Sequence, residues 1–174
     1  MTKEKINKQD NPMRNIAIEK IVLSGRGVDN ELEKSFRLLK KITKKNPTKK
    51  ITEKRIPGFG VRPKMQVGCL VTLRGKEASD LLKRLLASID NQLKKKQVTE
   101  NHFSFGIPEY IEIPGEEYDR EIGIIGLGVT IVFVRKGKRV IRKKIKKGRL
   151  PARQKISKEE IIKFMQQHFK TQFK

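Results

Sequence analysis

The amino-acid sequence predicts an α+β fold in which amphipathic helices gather on one face of a sheet, and three observations carry that prediction. Segments with two-residue apolar alternation interleave with segments whose apolar residues recur every three or four positions, in the order strand, helix, strand, helix, strands, helix. Apolar residues make up 36% of the chain against 35% charged, with no Trp, which supports one modest core. A length of 174 residues then favours a single domain with basic appendages over two domains.

Residues 1–10 are polar, charged and aperiodic, and read as a flexible N-terminal tail ahead of one domain spanning 11–174. Ile16 to Leu23 is rich in β-branched residues and runs into Ser24-Gly25-Arg26-Gly27, which predicts a strand ending in a Gly-rich turn. A helix comes next, with Asn30 as its cap, Glu33 at the third helical position, and Leu32, Phe36, Leu39 and Ile42 as one buried stripe. Residues 44–64 are basic and punctuated by Pro and Gly, the pattern of a long exposed loop. Met65 to Arg74 alternates cleanly. Met65, Val67, Cys69, Val71 and Leu73 fall on a dry face, and Gln66, Gly68, Leu70, Thr72 and Arg74 on a mostly polar one.

A second helix from Lys76 buries Ala78, Leu82, Leu85, Ile89 and Leu93, with Lys94-Lys95-Lys96 in its last turn, where cations favour the dipole. His102 to Ile111 reads as extended, and Val129 to Val134 as a central strand buried on most sides. A final helix over 157–170 opens at Ser157 with Glu160 in capping-box spacing, and Ile162, Met165, Phe169 and Phe173 form its stripe.

The 42 Lys and Arg against 19 Asp and Glu leave a formal charge of +23. Such a chain repels itself, and a polyanion offsets the repulsion, so phosphate-rich partners are the default reading. No apolar run approaches the roughly 18 residues of a spanning helix, and the polar start lacks a secretory core, so a soluble intracellular chain with no membrane partner is expected. One cysteine, Cys69, agrees with a reducing compartment. The block from Arg135 to Lys155 holds twelve Lys or Arg and no acid. Its arginines fork onto phosphates as lysine does not, which makes Arg135, Lys138, Arg139, Arg142, Lys143, Arg149 and Arg153 the candidate phosphate contacts. The segment Thr52 to Lys64 mixes Arg55, Arg62 and Phe59 with Pro57, Gly58 and Gly60, a combination that suits splayed RNA bases. Phe59 as a mere loop anchor is the rival reading. Acid concentrates between Glu109 and Glu121, as a solvated loop or a docking surface.

No catalytic constellation is visible in the sequence. Cys69, His102 and His168 have neither zinc-ligand nor Cys/His nucleophile spacing, and the acidic cluster lacks the alternation of a calcium loop. Gly123, Gly126 and Gly128 precede an apolar run, whereas a dinucleotide fingerprint follows a strand and opens a helix, so they read as backbone bends. The expectation is a binding protein, not an enzyme, with no metal and no cofactor.

Several motifs in register carry a resemblance. Asn11-Pro12-Met13-Arg14 with Ile18-Glu19-Lys20-Ile21-Val22-Leu23, Gly58-Phe59-Gly60-Val61-Arg62, Val71-Thr72-Leu73-Arg74-Gly75, Phe103-Ser104-Phe105-Gly106-Ile107, and Tyr118-Asp119 with Ile122-Gly123-Ile124 span nearly the whole chain. Together they resemble the large-subunit ribosomal protein family that binds 5S ribosomal RNA, universal family five, in its archaeal and eukaryotic form. The resemblance implies a curved antiparallel sheet backed by helices, in the central protuberance of the cytoplasmic large subunit. It implies 5S rRNA contacts at Asn11, Met13, Arg14, Gln66, Gly68, Thr72 and Arg74. It implies a loop that reaches P-site tRNA through Lys54, Arg55, Gly58, Phe59 and Arg62. A bridge to a basic protein of the small-subunit head is placed at Glu112, Glu116, Glu117 and Asp119, because acid suits a basic partner. Further implied partners are 23S-type rRNA and neighbouring large-subunit proteins. Ser24-Gly25-Arg26-Gly27, Pro57 and Pro63 depart from the family's usual pattern. The alternative is a non-ribosomal RNA-binding regulator, although no helix-turn-helix spacing is present.

Overall fold

The computed structural model describes residues 11–174, so the tail expected at 1–10 lies outside the described residues. Asn11 caps a short 3-10 turn, Pro12–Arg14, by accepting from the Met13 N–H at 2.9 Å, and β1 (Ile16–Arg26) follows. The chain continues through α1 (Asn30–Thr43), β2 (Thr48–Ile51), β3 (Gln66–Leu73), α2 (Lys76–Ala87), β4 (Gln92–Leu93), β5 (Val98–Thr99) and β6 (His102–Ile107). It ends with β7 (Leu127–Arg135), a one-turn α3 (Arg139–Arg142), α4 (Lys158–Phe169) and β8 (Gln172–Phe173). Six strands form one open antiparallel sheet in the order β2-β3-β1-β7-β6-β5, and β4 pairs with β8 in a separate parallel ribbon. This is the α+β architecture expected from the sequence. Among the described residues, no helix is long and apolar enough to cross a membrane.

Strand alternation sorts the sheet into two faces. Ile21 and Leu23 of β1, Cys69, Val71 and Leu73 of β3, Phe103, Phe105 and Ile107 of β6, and Val129, Ile131 and Phe133 of β7 are all buried. Against them α1 lays Leu32, Leu38, Leu39 and Ile42, α2 lays Leu81, Leu82, Leu85 and Leu86, and α4 lays Ile161 and Met165, in one continuous core. Each such side chain contributes about 1.5–3 kcal/mol on burial. Phe103 stacks on Phe133 at 5.7 Å between centroids, and Phe164 meets Phe133 edge-on at 5.7 Å, which ties α4 to the sheet. Burial pushes the Cys69 thiol pKa up, so this cysteine serves as packing.

Several sequence expectations need correction. The expected turn at Ser24-Gly25-Arg26 is the end of β1, where the helix crosses the strand at contact distance. A Cβ on Gly25 would lie 2.8 Å from the Ser35 Cβ, and the buried Ser35 hydroxyl donates to the Arg26 carbonyl at 3.3 Å. Asp29, not Asn30, is the residue before α1, and no side chain caps the helix there. The expected loop 44–64 contains β2, whose four residues are all exposed; it joins through backbone pairing with β3, which leaves no apolar pattern to read. Left-handed backbone at Asp90 and Asn91 ends α2 early, so Ile89, Leu93 and Lys94-Lys95-Lys96 lie beyond the helix. Strand β7 alternates instead of being buried on most sides, with Gly128, Thr130, Val132 and Val134 half-buried. The Ser157–Glu160 capping box forms and Met165 is buried as expected, but Ile161 is the fully buried partner in place of the expected Ile162, and Phe173 belongs to β8.

Gly25→Ala should lower stability by about 1–3 kcal/mol through overpacking at Ser35. Gly106→Ala, where an added Cβ has nothing within 4 Å, should stay within about 0.5 kcal/mol. Chemical denaturation of the two variants checks this, and equal losses would show that α1 does not cross β1 at Gly25.

Candidate nucleic-acid interface

The face opposite the helices is built from the other half of each strand. Register places Thr72, Val22, Thr130 and Ser104 in one row across β3, β1, β7 and β6. The next row is Leu70, Ser24, Gly128 and Gly106, with the Ser24 hydroxyl donating to the Gly128 carbonyl at 3.3 Å. Gly68 pairs with Arg26 at one end, and Lys20, Val132 and His102 align at the other. Small residues keep backbone close to whatever docks here, while hydroxyls and cations supply hydrogen bonds and charge. Of the sequence-selected residues, Gln66, Gly68 and Thr72 lie on this face of β3, and exposed Arg74 follows directly after the strand.

Antiparallel pairing of β1 with β7 opposes Ile16 to Arg135, so Asn11, Met13 and Arg14 emerge beside the start of the basic segment. The Met13 methyl lies 3.2 Å from where a Cβ on Gly137 would stand. Sequence reasoning missed Lys20, Ser24, Arg26, Ser104 and Thr130. Alternation within each strand could have nominated them, but strand adjacency alone makes them neighbours of Thr72.

Between β2 and β3 the chain forms a closed tip. Ile56 and Val61 exchange backbone hydrogen bonds at 3.0 and 3.2 Å around the 3-10 turn Pro57–Phe59, and left-handed Gly60 (φ 64°) completes the reversal. Val61 is buried and anchors the tip, whereas Phe59 is 78% exposed, which removes the loop-anchor reading of that ring. Lys54, Arg55, Gly58 and Arg62 are exposed beside it.

The basic segment divides into paired and unpaired cations. Arg135 is corrected as a phosphate contact: its side chain is 4% exposed and its guanidinium donates to both carboxylate oxygens of Glu160 at 2.6 Å. Lys138 and Arg142 both bind the Glu19 carboxylate. Arg139, Lys143, Arg149 and Arg153 are exposed, with no ion pair among the described residues.

A sequence profile of the C-terminus of the ribosomal L5 family matches residues 66–167. The large ribosomal subunit protein uL5 of Nanoarchaeum equitans is 42% identical over 94% of this chain and 98% of its own length. The uL5 proteins of Sulfurisphaera tokodaii and Archaeoglobus fulgidus are 42% and 34% identical, over 91% and 94% of this chain and 92% and 93% of their lengths. This chain belongs to the ribosomal uL5 family.

In this uL5-family protein half of the acids in the segment from Glu109 to Glu121 are engaged internally. Glu116 meets Arg84 of α2 at 2.8 Å, Asp119 meets Lys41 of α1 at 3.6 Å, and Glu121 meets Arg37 at 2.7 Å. The buried Tyr110 hydroxyl accepts from the Asp119 N–H at 2.8 Å, which fastens the strap to the core. Glu112 and Glu117 stay exposed with no ion pair among the described residues. Two carboxylates elsewhere in the fold, Glu160 and Glu19, have lowered pKa values. Burial raises the Glu160 pKa, but hydrogen bonds from Ser157 and Arg135 outweigh it and hold the group below the ordinary 4.5. At Glu19 burial is likewise outweighed, by Lys138, Arg142 and Lys20.

A carboxylate with a lowered folded-state pKa stabilises the fold fully above its unfolded pKa, and the gain is lost as pH falls through the folded value. The melting temperature should therefore hold above about pH 5 and fall below it. Glu160→Gln keeps a capping acceptor but removes the charge, so it should melt lower at neutral pH and show a flatter acid limb. A thermal-melt series from neutral to acid pH reads both effects; an acid limb as steep as wild type would remove Glu160 from the account.

Proposed function

We propose that the chain is a non-catalytic structural constituent of the large ribosomal subunit, in the cytoplasm, that holds 5S rRNA on the open face of its sheet. Membership of the ribosomal uL5 family supports the ribosomal role, and the observation that carries the RNA assignment is the open face itself. Its rows mix Gly, Ser and Thr with the half-buried Val22, Leu70 and Val132, with Lys20, Arg26 and Arg74 at the margins, and none of the core helices α1, α2 and α4 packs on it. Backbone that close to the surface, with hydroxyl donors between the strands, suits ribose and phosphate groups of structured RNA.

The remaining surfaces are assigned by their chemistry. Asn11, Met13 and Arg14 extend the 5S rRNA site at the margin where β1 begins. Arg139, Lys143, Arg149 and Arg153 face phosphates of 23S-type rRNA. The tip with Lys54, Arg55, Gly58, Phe59 and Arg62 stacks and pairs with P-site tRNA, its exposed ring being unexplained by packing. Glu112 and Glu117 are the free acids available to a basic protein of the small-subunit head, since Glu116 and Asp119 already have partners in α2 and α1.

If roughly six to ten phosphates are neutralised, affinity for 5S rRNA should fall about 10³–10⁵-fold between 50 and 200 mM salt. Thr72→Ala with Arg74→Ala should weaken it further while leaving the melting temperature close to wild type, because neither residue joins the buried core. Filter binding paired with thermal melts checks both; salt-insensitive binding would count against a phosphate-dominated interface.

The tip should be separable from the sheet. Replacing Arg55, Phe59 and Arg62 with Ala should leave 5S rRNA affinity within about threefold, or ~0.7 kcal/mol. Occupancy of tRNA in the peptidyl site should drop. Footprinting of ribosomes rebuilt with this variant distinguishes the cases, since lost protection on 5S rRNA with intact protection on tRNA would reverse the assignment.

A further inference from the structure

The basic excursion 136–155 is tied down where it leaves the fold and where it rejoins it. It departs at Arg135, buried against Glu160. It returns at buried Ile156, whose N–H donates to Asn101 Oδ1 at 2.9 Å and whose carbonyl accepts from the Asn101 N–H at 3.2 Å. Inside, the Gly148 N–H donates to the Val140 carbonyl at 3.2 Å and closes the excursion on itself.

A third tie comes from the sheet. The register of β1 against β7 slips between Ile18 and Lys20, which makes Glu19 the extra residue of a β-bulge, a device that re-aims a side chain. Its carboxylate sits on a side chain only 10% exposed and accepts from both Lys138, just before the α3 turn, and Arg142, the last residue of that turn. An acid here is costly to a chain that binds a polyanion, because it cancels charge within the phosphate-facing segment. The placement makes sense if fixing that segment matters more than one unit of charge.

We infer that Glu19 is a positioning residue for RNA binding: the bulge aims its carboxylate so that Lys138 and Arg142 lock the excursion beside the open face, holding Arg139, Lys143 and Arg149 as a preformed phosphate-binding edge. The inference rests on the RNA-binding reading above. Preorganisation lowers the entropy lost on binding, so releasing the lock weakens RNA binding. Deleting a negative charge, taken alone, strengthens it. The two effects have opposite signs.

The test is Glu19→Gln in the full chain, read by filter binding to 5S rRNA across a salt titration and by tryptic cleavage within 136–155 of the RNA-free protein. Affinity should fall about tenfold at about 100 mM salt, with a shallower salt slope and faster cleavage. Affinity equal to or above wild type, or unchanged cleavage, overturns the inference. Should Glu19→Gln fail to fold, Lys138→Gln with Arg142→Gln is compared with Lys144→Gln with Lys147→Gln, which removes the same charge from exposed positions outside the phosphate-binding edge that have no ion pair among the described residues. A larger loss from the first pair sustains the lock, and equal losses overturn it. Failure of the wild-type chain to prefer 5S rRNA over an unrelated RNA of equal length would remove the RNA reading, while the cleavage arm still reports on the lock alone.

Discussion

Side chains leave a strand on alternate faces, so a sheet that buries every second residue on one side has its other side left over. Here that constraint organises the molecule. With β1 flanked by β3 and β7, Ile21 and Leu23 sit between Val71, Leu73, Val129 and Ile131 on the dry side. The helices cover that side because their stripes need a continuous apolar partner, and the opposite face interrupts Val22, Leu70 and Val132 with glycine, serine and threonine. A one-residue slip in any pairing would turn Ile21 outward and bring Thr72 or Thr130 into the core, so the open face is specified by the same register that specifies the core. Gly25 extends the logic: it lets α1 approach β1 closely enough for the Ser35 hydroxyl to bond the Arg26 carbonyl.

The second organising influence is the surplus of positive charge. A net charge of +23 strains any compact state, and the few acids are placed where they brace the fold. Glu160 holds Arg135 at the end of β7 while also capping α4, which couples the last strand of the main sheet to the last helix. Glu116, Asp119 and Glu121 clasp Arg84, Lys41 and Arg37 on the outer sides of α2 and α1. The two exposed pairs, at Asp119 and Glu121, contribute little individually, about 0–1 kcal/mol, and their effect is to decide where loops lie. The cations left over collect along the excursion after β7 and at the tip between β2 and β3, the surfaces that ribosomal RNA and tRNA are proposed to occupy.

Helical and strand periods were legible wherever a segment has one wet and one dry side. Cys69, Val71 and Leu73 against Thr72, and Leu32, Leu39 and Ile42 along α1, were readable for that reason. The capping box at Ser157 was readable because its two hydrogen bonds involve residues three apart. Where pairing is made by backbone alone the pattern vanished. Strand β2 carries no buried side chain, and the expected turn at Ser24 to Arg26 is strand because β3 and β7 extend alongside it.

By itself, then, the sequence determined the fold class, the dry and polar faces of β3, the family, and the surplus of positive charge. These depend on local periodicity and on summed charge, both of which are properties of the chain before it folds. Tertiary structure decided which cations are free. Arg135 and Arg139 look alike in a run of basic residues, yet one is buried on Glu160 and the other is exposed. Their acids, Glu160 for Arg135 and Glu19 for Lys138 and Arg142, come from 25, 119 and 123 residues away in the chain. The Glu19 contacts exist only once the sheet order has brought the start of β1 beside the end of β7, and the Glu160 contact only once α4 packs back against that strand end, so no local signal encodes them.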